Sequence, residues 1–253
     1  MIATLLSRRY RTSVPFSVTT EDGIRLVGSR VGRHGPALVF CHGFLGWHRK
    51  ERIVRFVERL AARFHVYAFD LRGHGRSAGL STFGDREYLD VDAVVALARR
   101  ETGGPLATMG GSMGGIAVLR QAAFRDGVDA VVTVSTPARW NGHRSDAVRQ
   151  IRWLTETPAG RRLARVMGVR LTDAWDGPED PEAVVERVAP VPLIIVHGRD
   201  DHFFDVEEAW RLYRRAREPK RLLLASPFGH AEDGFTSSFA DLVADRVGRA
   251  LAS

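Results

Sequence analysis

A single cysteine, Cys41, stands in a chain of 253 residues, so no disulfide framework can brace it. Placed at the end of the apolar run Ala37 to Cys41, that thiol reads as a small core residue. No apolar run approaches the ~20 residues a helical membrane span requires. The stretch Ile2 to Leu6, followed by arginines, is too short for the core of a signal peptide and is flanked in the wrong order. A cytoplasmic protein with no membrane span is the expectation, its oligomeric state left open. Lysine is nearly missing as well: of 37 lysines and arginines, all but Lys50 and Lys220 are arginine. Such a skew, in a chain rich in Ala, Gly and Val, is what GC-rich coding produces. The net charge of +7 comes without a basic run or a nucleic-acid-binding motif, so no nucleic-acid partner is expected. Gly110 to Gly115 has neither the lysine nor the spacing of a phosphate loop. His42 with His48, and His197 with His202, lack further partners at metal-ligand spacing. The chain therefore predicts no metal and no cofactor.

What is present is a regular alternation. Val14 to Thr20 and Ile24 to Val31, joined by Glu21-Asp22-Gly23, predict a β-hairpin. Short apolar runs then follow at Ala37–Cys41, His65–Phe69, Leu106–Met109, Ala130–Ser135, Leu193–Val196 and Arg221–Ala225. Helical patterns separate them at Lys50–Arg63, Glu87–Glu101, Met113–Arg125, Asp205–Arg217 and Ser237–Leu251. The alternation predicts an α/β fold: a mostly parallel central sheet of about eight strands with helices on both faces. Asp205 with Glu208 three residues later predicts a capping box at the start of one helix. At this length one domain, residues 1–253, is expected.

The run Gly110-Gly111-Ser112-Met113-Gly114-Gly115 sets a serine between glycines where an apolar run passes into a helical one. This G-x-S-x-G pattern predicts a strained strand-to-helix turn that presents the hydroxyl above the sheet edge. Two later segments supply partners. His197-Gly198-Arg199-Asp200-Asp201 closes one apolar run, and Phe228-Gly229-His230 follows another. Imidazole exchanges protons near neutral pH, which makes His230 the candidate base for Ser112. A carboxylate at Asp200 or Asp201 would hold its second ring nitrogen. After Ala37–Cys41, the turn His42-Gly43-Phe44-Leu45-Gly46 brings the Phe44 amide toward the space before Ser112, where the Met113 amide also points.

With the turn Asp70-Leu71-Arg72-Gly73-His74-Gly75-Arg76-Ser77, these segments make the chain resemble the α/β-hydrolase superfamily from about Val14 onward. The resemblance implies a triad of Ser112, Asp201 and His230, because the family's G-x-x-D pattern falls on Asp201 rather than Asp200. It implies an oxyanion hole from the backbone of Phe44 and Met113, and a helical lid inserted at about 138–189. Serine at the elbow argues against the haloalkane dehalogenases and epoxide hydrolases, which carry aspartate there. Ser112-Met113-Gly114-Gly115 is similar to the S-M-G-G of acylglycerol lipases and related carboxylesterases. The expected reaction is hydrolysis of a small-molecule acyl ester. The alternatives are an acyl thioesterase acting on coenzyme A or carrier-protein substrates, and a non-catalytic binding protein on the same fold. For Trp140 and Trp153 two readings stand, packing inside the lid and walling a substrate pocket. Eight arginines between Arg139 and Arg170 face only Asp146 and Glu156, either as a solvated helical face or as a docking surface for an anion.

Overall fold

The computed structural model describes residues 7–173 and 176–252. Ile2 to Leu6 lies outside them, as do residues 174 and 175 of the segment expected to form a lid. Eight strands form one sheet: β1 (Val14–Thr19), β2 (Arg25–Val31), β3 (Ala37–Cys41), β4 (His65–Asp70), β5 (Leu106–Gly111), β6 (Ala130–Val134), β7 (Leu193–Gly198) and β8 (Lys220–Ala225). Their order is β1-β2-β4-β3-β5-β6-β7-β8. β1 pairs antiparallel with β2, and β2 antiparallel with β4, while every pairing from β4 to β8 is parallel.

Every residue of β3, β5, β6 and β7 is buried, which is why these strands read as unbroken apolar runs rather than alternating ones. The pleat still divides them. Val39 and Cys41 face one core with helices α2 (Tyr88–Thr102), α3 (Met113–Phe124) and α7 (Val206–Arg215), counting helices in chain order. Leu38 and Phe40 face the other, against α1 (Glu51–Leu60) and α8 (Ser237–Ala250). The expected architecture, a mainly parallel sheet with helices on both faces, is the observed one. Among the described residues no helix is long and apolar enough to cross a membrane.

Between β6 and β7 the alternation breaks, and the chain forms α4 (Asp146–Glu156), α5 (Pro158–Val166) and a short α6 (Pro181–Val184). Ser145 caps α4, and Thr157 caps α5 with Pro158 in its first turn. α5 packs on α4 so closely that a Cβ at Gly160 would lie 2.1 Å from the Trp153 carbonyl. Residues after α5 are stitched to the turn that follows β4. The Arg170 amide donates to Gly73 O at 2.8 Å and the Ser81 amide to Arg170 O at 2.8 Å.

At α7 the capping box is corrected. Asp205 does cap the helix, its side chain accepting from the Glu207 amide, but Glu208 does not reach back to the cap. Only 2% exposed, Glu208 instead accepts from the Ala138 amide at 2.9 Å and from Arg139 Nη2 at 2.7 Å. A buried carboxylate goes where donors are concentrated, and the first residues of the β6–β7 segment offer two, one of them charged.

Candidate active site

β5 runs into α3 through Ser112, whose backbone sits at φ 51° and ψ −119°, a region costly for any residue with a Cβ. The glycines around it are forced by close approach. A Cβ at Gly110 would lie 2.1 Å from Gly114 O, one at Gly114 2.5 Å from Cys41 O, and one at Gly115 1.8 Å from Thr136 Oγ1. Strand, turn and helix are thus pressed together until only hydrogen fits. The Ser112 amide donates to Val134 O at 2.8 Å, fixing the turn to the end of β6. Met113 opens α3, so its amide belongs to the first turn, which has no partner within the helix.

The loops after β7 and β8 meet. Asp201 lies with one carboxylate oxygen 2.8 Å and the other 3.1 Å from His230 Nδ1. The carboxylate side chain is 1% exposed and also accepts from the amides of Phe203 at 2.8 Å and Phe204 at 3.0 Å. Burial pushes the Asp201 carboxyl up, but the His230 contact and the two amides outweigh it and hold it below the usual carboxylate range. With Nδ1 donating to a carboxylate, the proton arrangement that fits leaves Nε2 as an acceptor. The imidazole packs against Phe203, ring centroids 4.3 Å apart, and Phe204, 5.4 Å apart. Asp200 points elsewhere: its Oδ2 accepts from the Phe228 amide at 3.1 Å and Ser226 Oγ at 3.3 Å.

The third loop, after β3, is set by two buried groups. His42 Nε2 accepts from the Leu71 amide at 3.1 Å and Nδ1 donates to Gly43 O at 2.8 Å. Burial, with His74 nearby, pushes its pKa down to about 3, so the ring is neutral and keeps both bonds. Asp70 accepts from the His48 amide at 2.8 Å, His48 Nδ1 at 2.7 Å and the Arg76 amide at 2.8 Å. Burial would raise that carboxyl, yet these donors bring it to about 2. His42 and Asp70 therefore tie both ends of the Gly43–Trp47 turn to the loop after β4. Gly43 comes close to the elbow, a Cβ there lying 3.4 Å from Ser112 Cβ.

These loops surround a cavity of about 790 Å³ at the C-terminal ends of the parallel strands, where ligands of open α/β sheets bind. Ser112, His230, Phe44, Met113 and Trp140 all line it, with Asp201 behind His230. Among the described residues, no hydrogen bond joins Ser112 Oγ to His230. Trp153 is not among the residues lining the cavity and is 48% exposed. Phe83, Ile116, Val148 and Ile151 add apolar surface to its lining. Its charged lining residues are matched in sign. Lys50 pairs with Glu232 at 2.7 Å, Arg152 with Glu156 at 3.0 Å, Arg161 with Asp173 at 2.7 Å and Arg139 with Glu208 at 2.7 Å. Phe83, Phe203 and Phe204 were not singled out by the sequence, and Glu208 was expected only as part of a helix cap. The adjacent phenylalanines after Asp201, too apolar for an ordinary loop, were the one available signal.

The sequence pattern of the alpha/beta hydrolase fold family matches residues 36–165. The uncharacterized protein YfhR of Escherichia coli K12 is 27% identical over 241 residues, 90% of this chain and 77% of that protein. Pimeloyl-[acyl-carrier protein] methyl ester esterase of Chromobacterium violaceum is 36% identical over 107 residues, 42% of this chain and 39% of its own length. In three dimensions the chain is similar to the esterase Pf2001 of Pyrococcus furiosus, with TM-score 0.74 and 23% identity over 95% of this chain and 92% of that one.

Proposed function

The chain belongs to the alpha/beta hydrolase fold family, and from that premise we propose that it is a serine hydrolase that cleaves a carboxylic ester through an acyl-enzyme on Ser112. The observation that carries the reading is the Asp201–His230 pair, 2.8 Å apart at the wall of the same cavity that the strained Ser112 enters. In this reading His230 Nε2 takes the proton as Ser112 Oγ attacks the ester carbonyl carbon. Asp201 keeps Nδ1 protonated and balances the imidazolium. The amides of Phe44 and Met113 receive the negative charge on the carbonyl oxygen. When the intermediate collapses, the carbon–oxygen bond to the alcohol breaks and the imidazolium protonates the leaving oxygen. Water, deprotonated by His230, then attacks the acyl carbon, and the carboxylic acid leaves as Ser112 regains its proton.

Residues 138–189 serve in this reading as a lid on a single domain, supported by Trp140, Val148 and Ile151 in the cavity lining. A small uncharged ester suits a cavity whose cations already have anionic partners better than a coenzyme A thioester does. Arg161 in particular also donates to the carbonyls of Leu171 and Thr172. Treatment with a fluorophosphonate is expected to give one adduct per chain, on Ser112. Ser112→Ala is expected to lower kcat for a nitrophenyl ester by about 10⁴-fold or more with an unchanged circular dichroism spectrum. An adduct elsewhere, or retained turnover, would remove Ser112 from this role.

A further inference from the structure

The turn between β4 and α2 holds Phe83 at φ 59°, a left-handed conformation in which a bulky residue is rarely found. Such strain persists only where the surroundings over-determine it. Here the surroundings are the carboxylate of Glu87, which is fully buried. Its Oε1 accepts from Ser81 Oγ and the Thr82 amide, each at 2.8 Å, and its Oε2 from the Gly84 amide at 2.8 Å and Thr82 Oγ1 at 2.5 Å. Four donors on either side of one residue leave the backbone at Phe83 no other path. Gly84, at φ 102°, then lies against α3, where a Cβ would come 2.9 Å from Met113 O.

Phe83 is half-buried and lines the cavity, its centroid 5.2 Å from Phe44 at an interplanar angle of 36°. Met113 and Ile116 line the cavity too. Two of these neighbours, Phe44 and Met113, are the residues whose amides would receive the carbonyl oxygen, so the ring stands beside the reacting group. We propose that Phe83, with Phe44, Met113 and Ile116, forms a subsite for the hydrocarbon chain of the ester, and that the Phe83 ring limits the length of chain that fits. The proposal rests on the ester-hydrolase reading above. None of the four residues carries a charge, so the group they take is an apolar hydrocarbon chain, supplied by either the acid or the alcohol portion of the ester.

Two substrate series separate those sources: nitrophenyl esters from acetate to octanoate, and alkyl acetates from methyl to octyl, each assayed on wild type, Phe83→Ala and Phe83→Trp. Each methylene group seated or expelled is worth about fourfold in kcat/KM. Phe83→Ala is therefore expected to raise the octyl-to-short-chain ratio of kcat/KM by roughly an order of magnitude in one series, and Phe83→Trp to lower it in that same series. If Phe83→Ala does not fold, the Trp variant alone decides the sign. Ratios within about twofold of wild type in both series, from folded variants, would overturn the subsite. Binding of C4 to C10 carboxylates and alcohols to Ser112→Ala, with and without each Phe83 substitution, tests the subsite without turnover. A Phe83-dependent chain-length preference there, in a wild-type protein that hydrolyses no ester, would count against the hydrolase reading and leave the subsite standing.

Discussion

Two adjacent aspartates, identical in charge and one residue apart, divide their contacts completely. Asp201 meets the imidazole of His230, whereas Asp200 braces the loop after β8 through the Phe228 amide. Asparagine at 201 keeps the shape but offers an amide where a full negative charge has to hold Nδ1–H. Asp201→Asn is expected to lower kcat by about 10³- to 10⁴-fold. Asp200→Asn removes only charge from a hydrogen bond to a backbone amide. It should cost roughly 1 kcal/mol of stability and less than tenfold in kcat. Steady-state kinetics and urea unfolding of both variants check the assignment, and a larger kinetic loss at Asp200 would reverse it.

Among the elements, α7 does more than cover β7. Its buried Glu208 accepts from the amide of Ala138 and the guanidinium of Arg139, gripping the segment where it leaves β6. Glu208→Ala would leave the buried Ala138 amide without an acceptor and the part-exposed Arg139 guanidinium without its partner. It is expected to destabilise the fold by roughly 2–3 kcal/mol in urea unfolding. Hydrogen exchange should quicken first in α4 and α5, since the grip is at the root of that segment. None of this was legible in the sequence, where Asp205 and Glu208 present the spacing of a helix cap, a local rule. The winning interaction spans 70 residues of chain. The strands and helices were legible to within a few residues because burial between two helical layers writes itself as short apolar runs. Ser112, His230 and the turn at Phe44 were legible because sharp turns demand glycines at fixed offsets, while the choice of Asp201 over Asp200 came from the family pattern rather than from the turns. Phe83 was not: a strained aromatic leaves no mark when the group imposing the strain is one of 30 acidic residues.

For the whole molecule, acid removes stability in two stages. His42 has a folded pKa of about 3 against an ordinary 6.5, so the unfolded chain binds its proton first. Stability is lost as pH falls below about 6.5, amounting to about 2–3 kcal/mol by pH 4.5. Asp70, at about 2 against 3.8, adds a loss that begins only below about pH 4. Urea midpoints are expected to fall steadily from pH 7 to 4.5 and more steeply below. His42→Asn should be less stable at pH 8 and lose less stability than wild type from pH 6.5 to 4.5, the remaining loss coming from His74 and His65, whose pKa values burial also lowers. A wild-type slope retained in that variant would assign the first stage to another group.

The near-absence of lysine gives the molecule a handle. Lys220 lies at the start of β8 with its Nζ donating to the carbonyls of Tyr213 and Ala216, while Lys50 sits at the cavity beside Glu232. An amine-directed coupling reagent meets two side-chain amines here, and the one at the cavity is held by a surface ion pair rather than by backbone carbonyls. Attachment to an activated resin through Lys50 would turn the opening toward the support, so immobilisation of this protein through its side chains calls for a thiol or an arginine-directed linker placed on the far side of the sheet.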